Sequence, residues 1–591
     1  MLKHYLNKGW VQNLILLSIL GLVMYYFGFL FHFDYQFNWS VLYSETEYGN
    51  MGEMLLHGLN LTVLISLYSA VIALTLGTLF GLARVSSFKP VYGFATVYVE
   101  FFRNTPLLVQ LFFWNFALPA GLPEEVKLKL FELDFEFWVA TLGLGIYTSS
   151  FMAEIIRAGI QSVPKGLLEA SYSSGMTFNQ SLRKIILPLA FREIIPPLGS
   201  EFLNNMKNSS LAMTVGVAEV CWSAQEVEAL TYSGFEATAA ATGIYLCLSL
   251  AIATFLNLVN AKLKIVGNNG TSTLRKSADL LFAPFVSVSN VISALFWNLG
   301  SAPLDSRTLS PTKAFWLKIR TTAWSLTVIA AKAAFVIFLL LLLYQTFKGI
   351  ASFNFQVIRD NIMALLIWRF PKGGSSEVFM GLGGLSMSII MAVICISLSF
   401  FIGLVVGIGR TSTNRAVKIP SLFYIELIRG NPLIMVIFWV YFFVPPMLKI
   451  QLDVFWSAVL AMTVFFGAYI AEIVRGGIEN IPPGQVEAAK STGLSYYQTM
   501  RRVILPQALK QMLPAIVGLF IAAFKDTSLA YIIGVMELTT AAYSINNRLM
   551  LYPFEIYTTI AVLYFVCCYC MSLYARRLER KLSPENVRLA M

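Results

Sequence analysis

Charge is scarce in this sequence: Asp, Glu, Lys and Arg make up 13% of its 591 residues, while 57% are hydrophobic. Soluble domains carry about a quarter charged residues, and no soluble fold of this length could hide so much apolar surface. Histidine occurs three times, at His4, His32 and His57, and never as H-E-x-x-H, which excludes a metalloprotease of that pattern. A G-x-x-x-x-G-K-[ST] phosphate loop is also lacking, so ATP hydrolysis by that mechanism is excluded for this chain. The six cysteines fall mostly in apolar runs without metal-ligand spacing, which indicates neither a metal centre nor disulfides. With no paired carboxylates in an evident soluble cleft, an enzymatic site is not indicated.

What is present is long apolar runs. Several reach the roughly 20 residues that a helix needs to cross a bilayer, Thr322 to Tyr344 most plainly. The reading is a polytopic membrane protein. The net charge of +11 then belongs to loops on the inner side rather than to nucleic-acid binding. The first run, Leu14 to Phe31, follows Lys3 and Lys8 and lacks a small-x-small cleavage site, so it is read as a retained span.

Sliding the chain along itself exposes a tandem repeat. LLEASYSSGMTFNQSLRKIILP, containing Glu169, matches QVEAAKSTGLSYYQTMRRVILP, containing Glu487, at an offset of 318. At that offset Gly175 meets Gly493, Pro188 meets Pro506, Glu154 meets Glu472, Lys207 meets Lys525 and Glu219 meets Glu537. Upstream the offset grows to 326, where YVEFFRNTPLL (Tyr98 to Leu108) faces YIELIRGNPLI (Tyr424 to Ile434) and the pair Gly77 and Gly81 faces Gly403 and Gly407. Six spans are expected per half. They lie near 13–31, 58–83, 95–119, 137–160, 193–217 and 236–263, then near 321–345, 381–409, 418–445, 455–478, 511–535 and 555–575.

Basic loops alternate with acidic or uncharged ones, which places both termini in the cytoplasm. The loop from Lys348 to Lys372 departs from this, being basic on the outer side. An even number of spans gives both halves the same orientation, related by an axis along the membrane normal. The expected domains are a first half, 1–265, a linker, 266–318, and a second half, 319–591. The linker's apolar stretch, Leu280 to Trp297, is read as lying on the membrane surface, since one added span would invert the second half.

Within the fifth expected span, Glu201, Asn204, Asn205 and Asn208 fall on one helix face, with Lys207 off it. The counterparts are Leu519, Ala522, Ala523 and Asp526. Polar groups inside a span are costly. This stripe either lines a solute pathway, with Glu201 or Asp526 accepting an ammonium and the asparagines donating to a carboxylate, or it hydrogen-bonds between helices. The i, i+3 pairs Glu100 with Arg103, Glu426 with Arg429, Glu154 with Arg157 and Glu472 with Arg475 read as local ion pairs. The paired glycines read as packing contacts.

Glu-Ala, four further residues and Gly, followed by Ile-Leu-Pro, in a basic loop of each half resembles the coupling segment of bacterial ABC importer permeases, most closely those for polar amino acids. The resemblance covers about 58–263 and 381–577. Half two has the full Glu487-Ala488-Ala489, while half one has Ser171 in third place. It implies an all-α permease fold in the bacterial inner membrane, with no enzymatic activity of its own. It also implies that Glu169, Ala170, Gly175, Glu487, Ala488 and Gly493 dock on a pair of ATPase subunits, a homodimer, which carry ATP and magnesium. An extracytoplasmic solute-binding protein would deliver the substrate. Segments around Tyr98 to Leu108 and Lys525 to Leu529 look most like permeases for acidic or general L-amino acids. The rivals are a secondary transporter with parallel halves, which leaves the duplicated motif unexplained, and a membrane enzyme.

Overall fold

The computed structural model describes residues 35–176, 178–263, 311–367 and 381–582, together with Ser18, Gly21, Leu22 and Tyr25. Apart from those four residues the expected first span lies outside the described residues, as does the surface stretch 280–297. Of the expected linker only 311–318 is described, and it is the start of a long helix.

Half one runs α1 (Met51–Ala83), α2 (Lys89–Asn104), α3 (Leu107–Ala120), α4 (Phe135–Gln161), α5 (Lys165–Ser173), α6 (Leu187–Asn208), α7 (Val220–Thr231) and α8 (Gly234–Leu263). Half two opens with α9 (Pro311–Ala351) and α10 (Phe355–Leu366). It then repeats the series as α11 (Gly384–Thr411), α12 (Arg415–Gly430), α13 (Leu433–Leu448), α14 (Val454–Glu479), α15 (Pro483–Ser491), α16 (Leu505–Asp526), α17 (Leu538–Leu549) and α18 (Pro553–Leu582).

Local chemistry sets these boundaries. The Asn50 side chain accepts from the amides of Gly52 and Glu53 at 3.0 and 3.3 Å and starts α1. Asp453 does the same for α14 through Phe455 N at 2.8 Å. Each satisfies donors that a helix start leaves unpaired.

Among the described residues, eight helices are long and apolar enough to cross a membrane, or nine if a bent pair is counted as one span. Two expected spans are therefore corrected. The stretches 95–119 and 418–445 are each broken, at Thr105–Pro106 and at Asn431–Pro432. A residue before proline is pushed out of the helical region: Thr105 takes ψ 144° and Asn431 ψ 157°. In half two the segments meet at 112°. The fifth expected span of half one forms a helix, α6, but its polar stripe keeps it out of the apolar set.

Within each half a close helix pair forms the spine. A Cβ on Gly77 would stand 2.7 Å from Met152 Cβ, and one on Gly407 2.6 Å from Val474 Cβ, so these glycines let α1 and α11 lie against α4 and α14. One apolar core runs across both halves, with Leu108 and Phe112 of α3 and Ile434 and Phe438 of α13 buried in it. Helix α9 leans away from its own half. Phe335 and Phe338 meet Phe94 of α2 at 5.9 and 6.1 Å, and Lys332 lies over the Phe88 ring at 5.3 Å.

Candidate transport pathway and coupling surfaces

The motif helices α5 and α15 each end in a left-handed turn at glycine. Gly175 has φ 78° and Gly493 φ 76°, and a Cβ at either would meet open space. Backbone conformation, not room, therefore demands glycine there. The turn closes by Met176 N to Ser171 O at 3.1 Å and by Leu494 N to Ala489 O at 3.2 Å, the pattern of a glycine-terminated helix. Glu169, Ala170, Glu487 and Ala488 are exposed, and Ser171 and Ala489 turn inward. The departure of half one from the motif thus falls on the buried side. There the Ser171 hydroxyl bonds Ser181 Oγ at 2.6 Å, whereas opposite Ala489 the hydroxyl of Thr499 has no partner.

A cavity of about 330 Å³ opens between the halves. Glu201, Asn204 and Asn208 of α6 line it from one side, and Lys525 and Asp526 of α16 from the other. Leu519 and Ala522, the counterparts of Glu201 and Asn204, line it as well, so most of the polar wall comes from half one. Tyr147 and Tyr469 stand at matching places. Its size falls within the usual range for small-molecule sites.

Asn205 does not join this wall, a correction to the stripe. It is 1% exposed. Its amide donates to Ser66 O at 3.0 Å and Ser69 Oγ at 2.9 Å and accepts from Thr148 Oγ1 at 3.0 Å. The side chain sits on the flank of α6 that faces α1 and α4, where every polar atom finds a partner. Lys207, placed off the stripe by an ideal helical wheel, does line the cavity. Just beyond it α6 tightens into the 3-10 turn Ser209–Val215.

The two lysines tie the halves together crosswise. Lys207 of half one donates to the backbone oxygen of Arg429 at the end of α12. Lys525 of half two donates to that of Arg103 at the end of α2, at 2.9 Å. Helix C-termini leave carbonyls unpaired and carry partial negative charge, so each cation seats on the break ahead of Pro432 or Pro106.

Two of the four expected local ion pairs form: Arg157 to Glu154 at 2.5 Å and Arg475 to Glu472 at 2.6 Å. The other two do not. Glu100 faces Arg84 at 3.9 Å and Arg576 of half two at 3.2 Å, while Arg103 lies over the Phe151 ring. Arg429 turns to Glu472 at 3.7 Å. Tertiary partners on neighbouring helices outcompete the i+3 neighbour.

Two duplicated features escaped the sequence reading. Glu219 and Glu537, fully buried, cap α7 and α17 and accept from Tyr245 and Tyr564 at 2.6 and 3.0 Å. The repeat had matched the glutamates but not the tyrosines. At the outset of each half, Asn38 N and Asn354 N donate to Glu236 and Glu555. A shared Phe-Asn-aromatic string, Phe37 to Trp39 and Phe353 to Phe355, was the available signal. Burial and the Glu236 carboxylate push the Tyr35 hydroxyl there up to about 12.

Paired helical halves around a polar cavity, with a matched motif helix on each, define a membrane-embedded transport subunit. The chain belongs to the family of binding-protein-dependent transport system inner membrane components and carries it in two copies, over residues 73–265 and 399–584. Individual relatives match between a third and two fifths of the chain. The glutamate/aspartate import permease protein GltJ of Escherichia coli strain K12 is 35% identical over 241 residues, 39% of this chain and 97% of its own length. A probable glutamine ABC transporter permease protein, GlnP of Bacillus subtilis strain 168, is 42% identical over 203 residues, 33% of this chain and 90% of its own. A solved amino acid ABC transporter described "with histidines" is 34% identical over 34% of this chain and 92% of that chain, with a TM-score of 0.32. The protein is thus a multi-pass membrane transport component, and in this family the ATPase is a separate subunit.

Proposed function

We propose that this chain supplies both permease halves of an ATP-driven importer that carries polar amino acids, acidic or a broad L-set, inward from a binding protein. Its relatives are named for glutamate/aspartate and glutamine transport. Both termini and the motif helices face the cytoplasm, where basic loops collect. Two identical ATPase subunits, carrying ATP and magnesium, receive Glu169, Ala170 and the Gly175 turn on one side and Glu487, Ala488 and the Gly493 turn on the other. Drawing these helices together tilts the halves and opens the cavity outward, and ATP hydrolysis reverses the tilt. Glu201 or Asp526 receives the solute's ammonium, and Asn204 and Asn208 donate to its carboxylate.

The observation that carries this reading is the polar cavity between halves that each bear an exposed Glu-Ala helix ending in a positive-φ glycine. The test is uptake of labelled glutamate, glutamine and a basic amino acid into proteoliposomes holding the chain with its ATPase and binding protein. Uptake should require ATP and vanish in the double variant Gly175→Pro, Gly493→Pro, because proline cannot adopt positive φ. Uptake driven instead by a proton or sodium gradient would promote a secondary transporter.

A further inference from the structure

The two crossings between the halves are related by the repeat but are not equally fastened. On the first, the end of α2 in half one meets α18 of half two. Arg576 donates to Glu100 at 3.2 Å, and Ser572 Oγ donates to Asn104 Oδ1 at 2.9 Å. On the second, the end of α12 in half two meets α8 of half one. The register here is fixed by Tyr245 matching Tyr564, each bonded to its half's buried glutamate. It puts Ala253 where half two has Ser572, and Asn257 where half two has Arg576.

The carboxylate that answers Glu100 is Glu426. It is exposed, and among the described residues it has no hydrogen bond or ion pair. The position answering Asn104 is Gly430, which offers no side chain. At the helix end this crossing is joined by Ser249 Oγ donating to Gly430 O at 2.6 Å, and the neighbouring Asn431 Oδ1 is buried without a partner; α8 bonds half two again two turns away, where Trp439 Nε1 of α13 donates to Thr242 Oγ1 at 2.8 Å. The lysine tie to the helix end is common to both crossings, so at the helix ends, where the gate lies, the difference is the ion pair and the bond between side chains.

We infer that the inner gate is one-sided. The crossing held by Arg576 and Glu100 stays shut as a hinge, and the solute leaves through the crossing of α12 with α8, past Glu426. This rests on the transport direction and orientation proposed above. A charge-assisted hydrogen bond is about twice as strong as a neutral one. When both motif helices move together, the crossing without one therefore separates first. Glu426, which feels the Lys207 charge but makes no hydrogen bond or ion pair at that mouth among the described residues, is also placed to meet the ammonium of a departing amino acid.

The test places spin labels at matched lipid-facing positions of the full chain, bound to its ATPase, with exposed Cys247 and Cys570 replaced by serine. One pair is Val97→Cys with Leu573→Cys, and the other is Phe423→Cys with Thr254→Cys. Between the nucleotide-free and the trapped-nucleotide states, the second distance should change and the first should hold. Equal changes on both sides, or a change confined to the first pair, would overturn the inference.

Transport supplies an independent readout. Asn257→Arg builds the missing partner opposite Glu426 and should slow ATP-driven uptake roughly fivefold. Adding Glu426→Gln should restore the rate, which a folding defect would not allow. Unchanged uptake in Asn257→Arg tells against the one-sided gate. A one-sided distance change in a wild-type chain that shows no ATP-driven uptake would uphold the gate and sink the importer reading instead.

Discussion

Helix α6 of half one turns Glu201, Asn204 and Asn208 toward the cavity, where α16 of half two turns Leu519, Ala522 and Asp526. The two helices otherwise share their design. Each carries, one residue before its end, a lysine tied to the opposite half and continues as a 3-10 turn, and each of those turns ends at a left-handed glycine, Gly216 or Gly534. The lesson is that the duplication kept what both halves must do to fit each other and let diverge what only one wall must do. Positions that set backbone conformation or helix approach stayed as they were. Positions facing the cavity became polar on one side and mostly apolar on the other.

The largest expected effect breaks what the halves share. Loss of either buried cap, by Glu219→Ala or Glu537→Ala, should destabilise the protein by about 3 kcal/mol, because several donors lose their acceptor inside the membrane protein. Glu537 should cost more. It accepts from Thr539 N, Thr540 N and Tyr564, whereas Glu219 has one such amide, that of Trp222. Thermal melts in detergent would show the order, and a larger loss at Glu219 would contradict it.

Next come the walls. Asn204→Ala should reduce kcat/KM for uptake by about tenfold, the order of one charge-assisted hydrogen bond, while Ala522→Ser on the other wall should leave it within about twofold. Equal effects would erase the asymmetry. Asn205→Ala separates packing from pathway. Its three partners would each lose a hydrogen bond, lowering stability by about 2 kcal/mol, with the KM for solute unchanged. A shifted KM would return Asn205 to the pathway. The smallest effect sharpens the comparison of the motif helices. Ala489→Ser would give the Thr499 hydroxyl the partner that Ser181 already has, and should raise the melting temperature by only a degree or two, the equivalent of about 0.5 kcal/mol.

Much of this was legible because repetition in a sequence is as visible as in a structure. Matching Gly175 with Gly493, and Gly77 and Gly81 with Gly403 and Gly407, found positions where the backbone itself is constrained. The pattern failed where one residue had several possible partners. Glu100 has Arg103 three places on, yet it faces Arg84 and Arg576, which lie 16 residues back and in the other half. Asn205 belongs to a helix face by periodicity, but a helix buried on several sides gives each flank a different neighbour. The spans at 95–119 and 418–445 look continuous in averaged hydropathy because the break in each, Arg103-Asn104-Thr105-Pro106 or Arg429-Gly430-Asn431-Pro432, is only four residues long between apolar runs.

By itself the sequence determined the membrane environment, the helical class, the duplication and the motif turn. Each of these follows from local or periodic properties: apolar length against bilayer thickness, repeated spacing, and a glycine where the chain must take positive φ. Only the tertiary structure decided which polar residues face the cavity and which lock helices together, that α9 leans on the opposite half, and that one crossing is fastened more firmly than the other. These depend on which helix lies beside which. That choice is made by close packing of whole surfaces, where a single tight glycine contact or a buried hydrogen-bond partner outweighs the position a residue holds on its own helix.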